Sequence, residues 1–194
     1  MFSLFIDTHD SLISLALYKD GKYVDKKQKE STMHHSDYIM PMLVELLNDN
    51  NITVHDLNEI LCINGPGSFT GVRLGVTLAK TLAYTLNIKI KVATSLEMYA
   101  VSSDVEGNKL AIIKDLKGAF GGLFDKDNNL LGEYFYMNNS ELNNYIEKNN
   151  YESIIVENKI DFNKIYELFS TKQEEISHKV NPLYIKVIEA LKHD

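Results

Sequence analysis

One cysteine occurs in the 194 residues, so no disulfide can form within the chain. That residue, Cys62, sits in the apolar run Ile60-Leu61-Cys62-Ile63, where a small core side chain is expected rather than a polar, partly exposed thiolate. Cations are outnumbered, with 20 Lys plus Arg against 27 Asp plus Glu and a formal net charge of -7. That balance disfavours a protein that grips a nucleic-acid backbone by itself, because such binding is carried by clustered Lys and Arg. No stretch approaches the roughly 18 apolar residues of a membrane helix, and the apolar opening, residues 1–6, lacks a basic flank and stops at Asp7. A cytoplasmic protein with no membrane contact is expected. What remains is close to the globular average, 44% hydrophobic and 24% charged, which excludes the disordered and fibrous classes and fits one domain or two small lobes.

Strand signals open the chain at 3–6, 12–18 and 22–29, the last two joined by Asp20-Gly21, a favoured hairpin pair. A helix follows Ser36, its possible cap, with Ile39, Leu43, Leu46 and Leu47 on one face and Pro41 set to kink it or delay its start. Thr53 and Asp56 suggest a short capped helix before a buried strand at 60–64. After the segment Gly65-Pro66-Gly67-Ser68-Phe69-Thr70-Gly71 the pattern predicts a helix over 72–86, a strand at 88–92 and a helix capped by Thr94 or Ser95. A second set of strands reads 110–114, 119–124 and 130–137, then a helix at 141–148, a strand at 153–156 and a helix at 163–169. Two β-then-α sets predict a duplicated α/β layout, with an N-terminal lobe over 1–104 and a smaller C-terminal lobe over 105–194.

A glycine loop between strand and helix invites an anion, since helix N-terminal amides attract one, but a sharp turn alone explains the glycines equally. Gly71 is followed by Val72 and Arg73, so the Lys and Ser or Thr of a P-loop are missing, and Thr70 stands where a dinucleotide fingerprint needs its third glycine. The helix that follows is apolar on two sides. Val72, Val76, Ala79, Ala83 and Leu86 form one line and Leu74, Leu78 and Leu82 another, with Gly71, Gly75 and Ala79 small enough for close approach of a second helix. The helix is either sandwiched within the domain or contributes a dimer interface beside Tyr38, Met42 and Leu46.

Other constellations are sparse. Asp7 and Thr8 close the first strand, where an acid can hold a metal-bound phosphate or merely cap a turn. The six histidines, His9, His34, His35, His55, His178 and His193, include no i, i+3 or i, i+4 pair, so no helical metal site is expected. There is no Gly-x-Ser-x-Gly elbow to make Ser68 a nucleophile.

The run from Gly65 through Ser68, Phe69, Thr70 and Gly71 to Arg73-Leu74-Gly75 closely resembles the signature of the TsaB (YeaZ) family, the non-catalytic partner in bacterial synthesis of threonylcarbamoyladenosine in tRNA. Asp7-Thr8, His35-Ser36-Asp37 with Pro41, and Ser95-Leu96-Glu97 match other family positions in order and spacing. The resemblance implies an α/β actin-like ATPase (ASKHA, RNase H-like) fold of two lobes, the second reduced. It implies pairing with the catalytic paralogue TsaD, work with the ATPase TsaE, a possible homodimer, and contact with tRNA only through the complex. ATP would be used by the partners, with no cofactor held here. The partner face would comprise Tyr38, Met42, Leu46, Gly71, Leu74, Gly75, Leu78, Ala79 and Leu82. Where the family has Asp-x-Arg this chain has Asp115-Leu116-Lys117, and Pro182-Leu183-Tyr184-Ile185-Lys186 carries Lys in place of a final Arg. Asp7 and Thr8 would then mark a degenerate nucleotide site. The competing expectation is an autonomous ATP-binding enzyme of the same fold, or a peptidase-like protein.

Overall fold

The computed structural model describes residues 1–31, 34–149, 153–156 and 160–185. The chain opens with a meander, β1 (Phe2–Asp7), β2 (Leu12–Lys19) and β3 (Lys22–Glu30). Asp20 and Gly21 turn β2 into β3 with φ of 51° and 80°, both positive, as a type I′ hairpin requires. Helix α1 (His35–Asp49) leads to β4 (Leu57–Ile63), α2 (Phe69–Leu86), β5 (Lys89–Ala93) and α3 (Ser95–Ser102). β4 and β5 run parallel to β1, giving the sheet order β3-β2-β1-β4-β5.

The second half repeats the plan with less material. β6 (Lys109–Asp115), β7 (Gly118–Phe124) and β8 (Phe135–Asn138) form a meander, α4 (Asn139–Asn149) crosses over, and β9 (Ser153–Val156) pairs parallel with β6, in the order β8-β7-β6-β9. Helix α5 (Phe162–Ser170) completes it.

Helices and sheets alternate in layers. Alternation along β1 and β2 turns Leu4, Ile6, Ile13, Leu15 and Leu17 to one face, where Ile39, Leu43 and Leu46 of α1 and Val72, Val76 and Ala83 of α2 cover them. Phe5, Ala16, Tyr18 and Leu61 face the other way, onto α3 and α5, which also meet Ala111, Ile113 and Phe124 of the second sheet. Phe5 touches Phe162 and Phe169 edge-on at 6.0 and 6.2 Å, contacts worth about 0.5–1.5 kcal/mol each beyond area burial. α4 lies on the far side of the second sheet, with Leu142 near Leu110, Ile112 and Ala119. The last segment returns to the first sheet. Glu175 N donates to Ile90 O at 2.8 Å along the β5 edge, and Leu183 N to Asn64 O at 2.8 Å.

Several element bounds differ from those expected. α1 begins at His35 behind a left-handed His34, so Ser36 lies inside its first turn, and Pro41 sits within a continuous helix. α2 starts at Phe69 because Ser68, not a later residue, caps it. The strand expected over 130–137 is shortened to Phe135–Asn138, since Gly132 at φ 87° breaks the run and Leu130 only bridges to Phe124.

Candidate functional site

The glycine segment is shaped by two neighbouring stretches of chain. Gly65 adopts φ 101°, a region open to glycine at little strain. Ser95 holds the next turn twice, its amide donating to Gly65 O at 2.9 Å and its hydroxyl to Pro66 O at 2.5 Å. From the other side the Ser68 amide donates to the His9 carbonyl at 2.6 Å, and a Cβ on Gly67 would overlap that same oxygen. Ser68 then caps α2, its Oγ accepting from the Gly71 amide at 3.3 Å. An anion cradle needs amides aimed at open space. Two amides of this loop, those of Ser68 and Gly71, are instead occupied within the protein.

Asp7 and Thr8 lie behind the junction, 1% and 0% exposed. Thr8 Oγ1 donates to the Gly71 carbonyl at 2.6 Å. Asp7 Oδ1 accepts from the His9 amide at 3.1 Å and lies 2.8 Å from His9 Nδ1. Both residues are still covered by α2 and the sheet, and the turn becomes accessible only at Asp10 and Ser11, with the buried His9 lining the cleft behind them. Asp7 and Thr8 therefore lie behind the cleft and do not line it.

There the β1–β2 turn, the glycine loop, the β6–β7 hairpin and residues 182–185 enclose a cleft of about 660 Å³. Each facing hairpin supplies a carboxylate. Asp10 Oδ1 accepts from the Leu12 amide at 2.7 Å and Oδ2 from Tyr99 OH at 3.3 Å. Asp115 Oδ2 accepts from Tyr136 OH at 3.1 Å. His35 Nε2 sits 2.7 Å from the Asp10 carbonyl, tying the start of α1 to this wall. Among the described residues no group of three or more His, Cys, Asp or Glu is arranged to hold a metal ion.

At the rim the signature and a distant motif meet. The Arg73 guanidinium lies 3.7 Å from the centre of the Phe69 ring, and its Nε donates to Tyr184 OH at 2.9 Å. Tyr184 follows Pro182 and Leu183 of the motif noted near the chain end. Its final residue, Lys186, lies outside the described residues, as does His193.

The expected partner face divides. Met42, Leu46, Gly71, Gly75 and Ala79 are buried within the chain's own core. A Cβ on Gly71 would overlap the Thr8 carbonyl and one on Gly75 the Thr8 hydroxyl, so these small residues admit β1 rather than another helix. Tyr38 is 36% exposed, while Leu74, Leu78 and Leu82 are half-buried beside the same core. Burial also pushes the Cys62 thiol well above its usual range, in line with a core cysteine.

A "tRNA threonylcarbamoyladenosine biosynthesis protein TsaB" of Buchnera aphidicola subsp. Schizaphis graminum is 31% identical over 158 residues, covering 81% of this chain and 70% of that protein. The chain belongs to the TsaB family. The Bacillus subtilis protein of the same name is 35% identical over 149 residues, 76% of this chain, and the match spans 65% of its length, just under two thirds. Residues 27–115 also match the family described as "TsaD: tRNA N6-adenosine threonylcarbamoyltransferase". The structure of YeaZ from Pseudomonas aeruginosa superposes with a TM-score of 0.78 at 17% identity, covering 94% of this chain and 100% of that one. The fold is the actin-like ATPase fold, with a second sheet one strand smaller than the first among the described residues.

Within this TsaB-type chain, sequence reasoning missed His9, Asp10 and His35 as cleft residues, and the union of Phe69, Arg73 and Tyr184. The separation of 111 positions between Arg73 and Tyr184 hides that contact from any local pattern. It also missed Met40, Val44 and Tyr84, which are 46%, 52% and 72% exposed on α1 and α2.

Proposed function

We propose that the chain is a non-catalytic, activating subunit for tRNA N6-threonylcarbamoyladenosine synthesis, pairing with a TsaD-type catalytic paralogue and working with a TsaE-type ATPase in the cytoplasm. Membership of the TsaB family carries this reading. The inward-turned amides of Ser68 and Gly71 support it, since the signature loop binds its own protein rather than offering those groups to a phosphate. The partner face is assigned to the outer sides of α1 and α2, around Tyr38, Leu74, Leu78 and Leu82, where apolar side chains are still partly accessible. A stable contact there buries about 1,600 Å² in total. tRNA is reached through the complex, consistent with a net charge of -7.

The experiment is co-purification of the tagged chain with the TsaD-type protein of the same cell, followed by threonylcarbamoyl transfer assayed with and without the chain. Recovery of the pair and dependence of transfer on it are expected. Full transfer without the chain would overturn the reading.

The cleft of about 660 Å³ favours one second reading, an ATP-binding enzyme in its own right. Calorimetry with ATP and Mg²⁺ on the isolated chain separates the two, since tight binding with turnover supports the enzyme alone.

A further inference from the structure

Arg73 is the only arginine in the chain, beside nineteen lysines. A lysine gives a mobile point charge, whereas a guanidinium gives a planar fork that matches a carboxylate or phosphate through two parallel bonds. Here the fork is also held in place. Phe69 lies beneath it at 3.7 Å and Tyr184 OH takes its Nε at 2.9 Å, although both rings and the arginine itself are exposed, Phe69 at 49% and Tyr184 at 52%. Among the described residues no carboxylate forms an ion pair with Arg73, while the exposed Lys89 and the half-buried Lys27 and Lys164 each have at least one.

Its surroundings select the kind of partner. The outward line of α2 runs Thr70, Arg73, Thr77, Thr81 and Tyr84, all exposed, with the half-buried Lys80 beside it two turns beyond Arg73 and no acidic residue. RNA binding is built from clustered cations. A stripe of threonine and aromatic side chains with one ordered arginine has instead the make-up of a protein interface, depleted of charge and anchored by Tyr and Arg.

We propose that this stripe docks on a partner protein and that Arg73, pre-ordered by Phe69 and Tyr184, pairs in bidentate fashion with a carboxylate of that partner. The inference rests on the adapter reading above and adds the chemistry that the partner surface must carry. Pre-ordering matters because the arginine's rotamer freedom is already restricted before binding, which lowers the entropy cost of the contact.

The test uses the full chain and its TsaD-type partner in titration calorimetry, with Arg73→Ala, Arg73→Lys and Tyr184→Phe. Arg73→Ala is expected to weaken binding roughly 30-fold, the effect of a hot-spot residue. Arg73→Lys keeps the charge but loses the fork, and is expected to weaken binding about tenfold. Tyr184→Phe removes only the ordering bond and is expected to give a smaller loss. All three should melt with the wild type. Wild-type affinity should fall with added salt more steeply than that of Arg73→Ala. Equal binding by wild type and Arg73→Lys overturns the bidentate pairing while leaving the adapter reading intact. Unchanged partner binding by Arg73→Ala together with reduced tRNA retention by the assembled complex also overturns it, in favour of a phosphate. A wild-type chain that does not bind the partner overturns both.

Discussion

The hydroxyl of Thr8 donates to the carbonyl of Gly71 at 2.6 Å, joining the end of the first strand to the first turn of the second helix. Gly71 and Gly75 make that approach possible, because a side chain on either would enter the space of Thr8. Gly71→Ala is therefore expected to destabilise by about 1–3 kcal/mol through overpacking, and Thr8→Val by about 1 kcal/mol through the lost bond. At this size each kcal/mol lowers Tm by about 2–4 °C. Thermal melts read by circular dichroism check both, and an unshifted Gly71→Ala would refute the close approach.

Leu78 and Ala79 are neighbours with opposite fates. Ala79 is 0% exposed, so Ala79→Glu places an unpaired carboxylate in the core and should cost more than about 4 kcal/mol. Leu78 is half-buried at the proposed partner face, so Leu78→Glu should leave a folded monomer that binds the TsaD-type partner about tenfold more weakly. Gel filtration and melting of the two variants decide this. A Leu78→Glu chain that pairs normally would move the face elsewhere.

Acid should weaken the fold in a traceable way. The Thr53 amide holds the Asp56 carboxyl below its ordinary range, and the Asn129 side chain does the same for Asp125. A folded-state value below the unfolded one of about 3.9 contributes stability that is present above that pH and lost as pH falls through the folded value. Tm measured from neutral pH downward should drop in the acid range, and less steeply in the Asp56→Asn, Asp125→Asn double variant. Parallel curves would show that these two groups are not responsible.

Cys62 is 0% exposed with its thiol pushed up chiefly by burial and secondarily by Asp7. Thiol-specific dye should leave the native protein unlabelled and label one equivalent in guanidinium. Rapid labelling under native conditions would mean that β4 opens.

Much of the architecture is legible because it is local. The 3.6-residue spacing of α2, the Asp20-Gly21 turn and the Thr53–Asp56 box each act within a few residues, and all three appear where the pattern puts them. The partner face was harder to read, since Gly71, Gly75 and Ala79 satisfy two meanings in sequence. A small residue admits a strand from inside as readily as a helix from outside, and only the position of Thr8 distinguishes them. The cleft was less legible still, being assembled from residues near 9, 66, 115 and 184.

The bond from Tyr18 OH to the Phe162 carbonyl, 144 residues away, sets an order of events in the making of the protein. On the ribosome, β1 to β5 emerge with one face already matched by α1 and α2, but Phe5, Tyr18 and Leu61 on the other face have no complete cover until α5 has been synthesised. A nascent chain stalled after α3 would thus display an incompletely covered aromatic sheet face, which is the feature that holding chaperones bind. The N-terminal half is therefore a poor candidate for expression alone, and its solubility depends on α5.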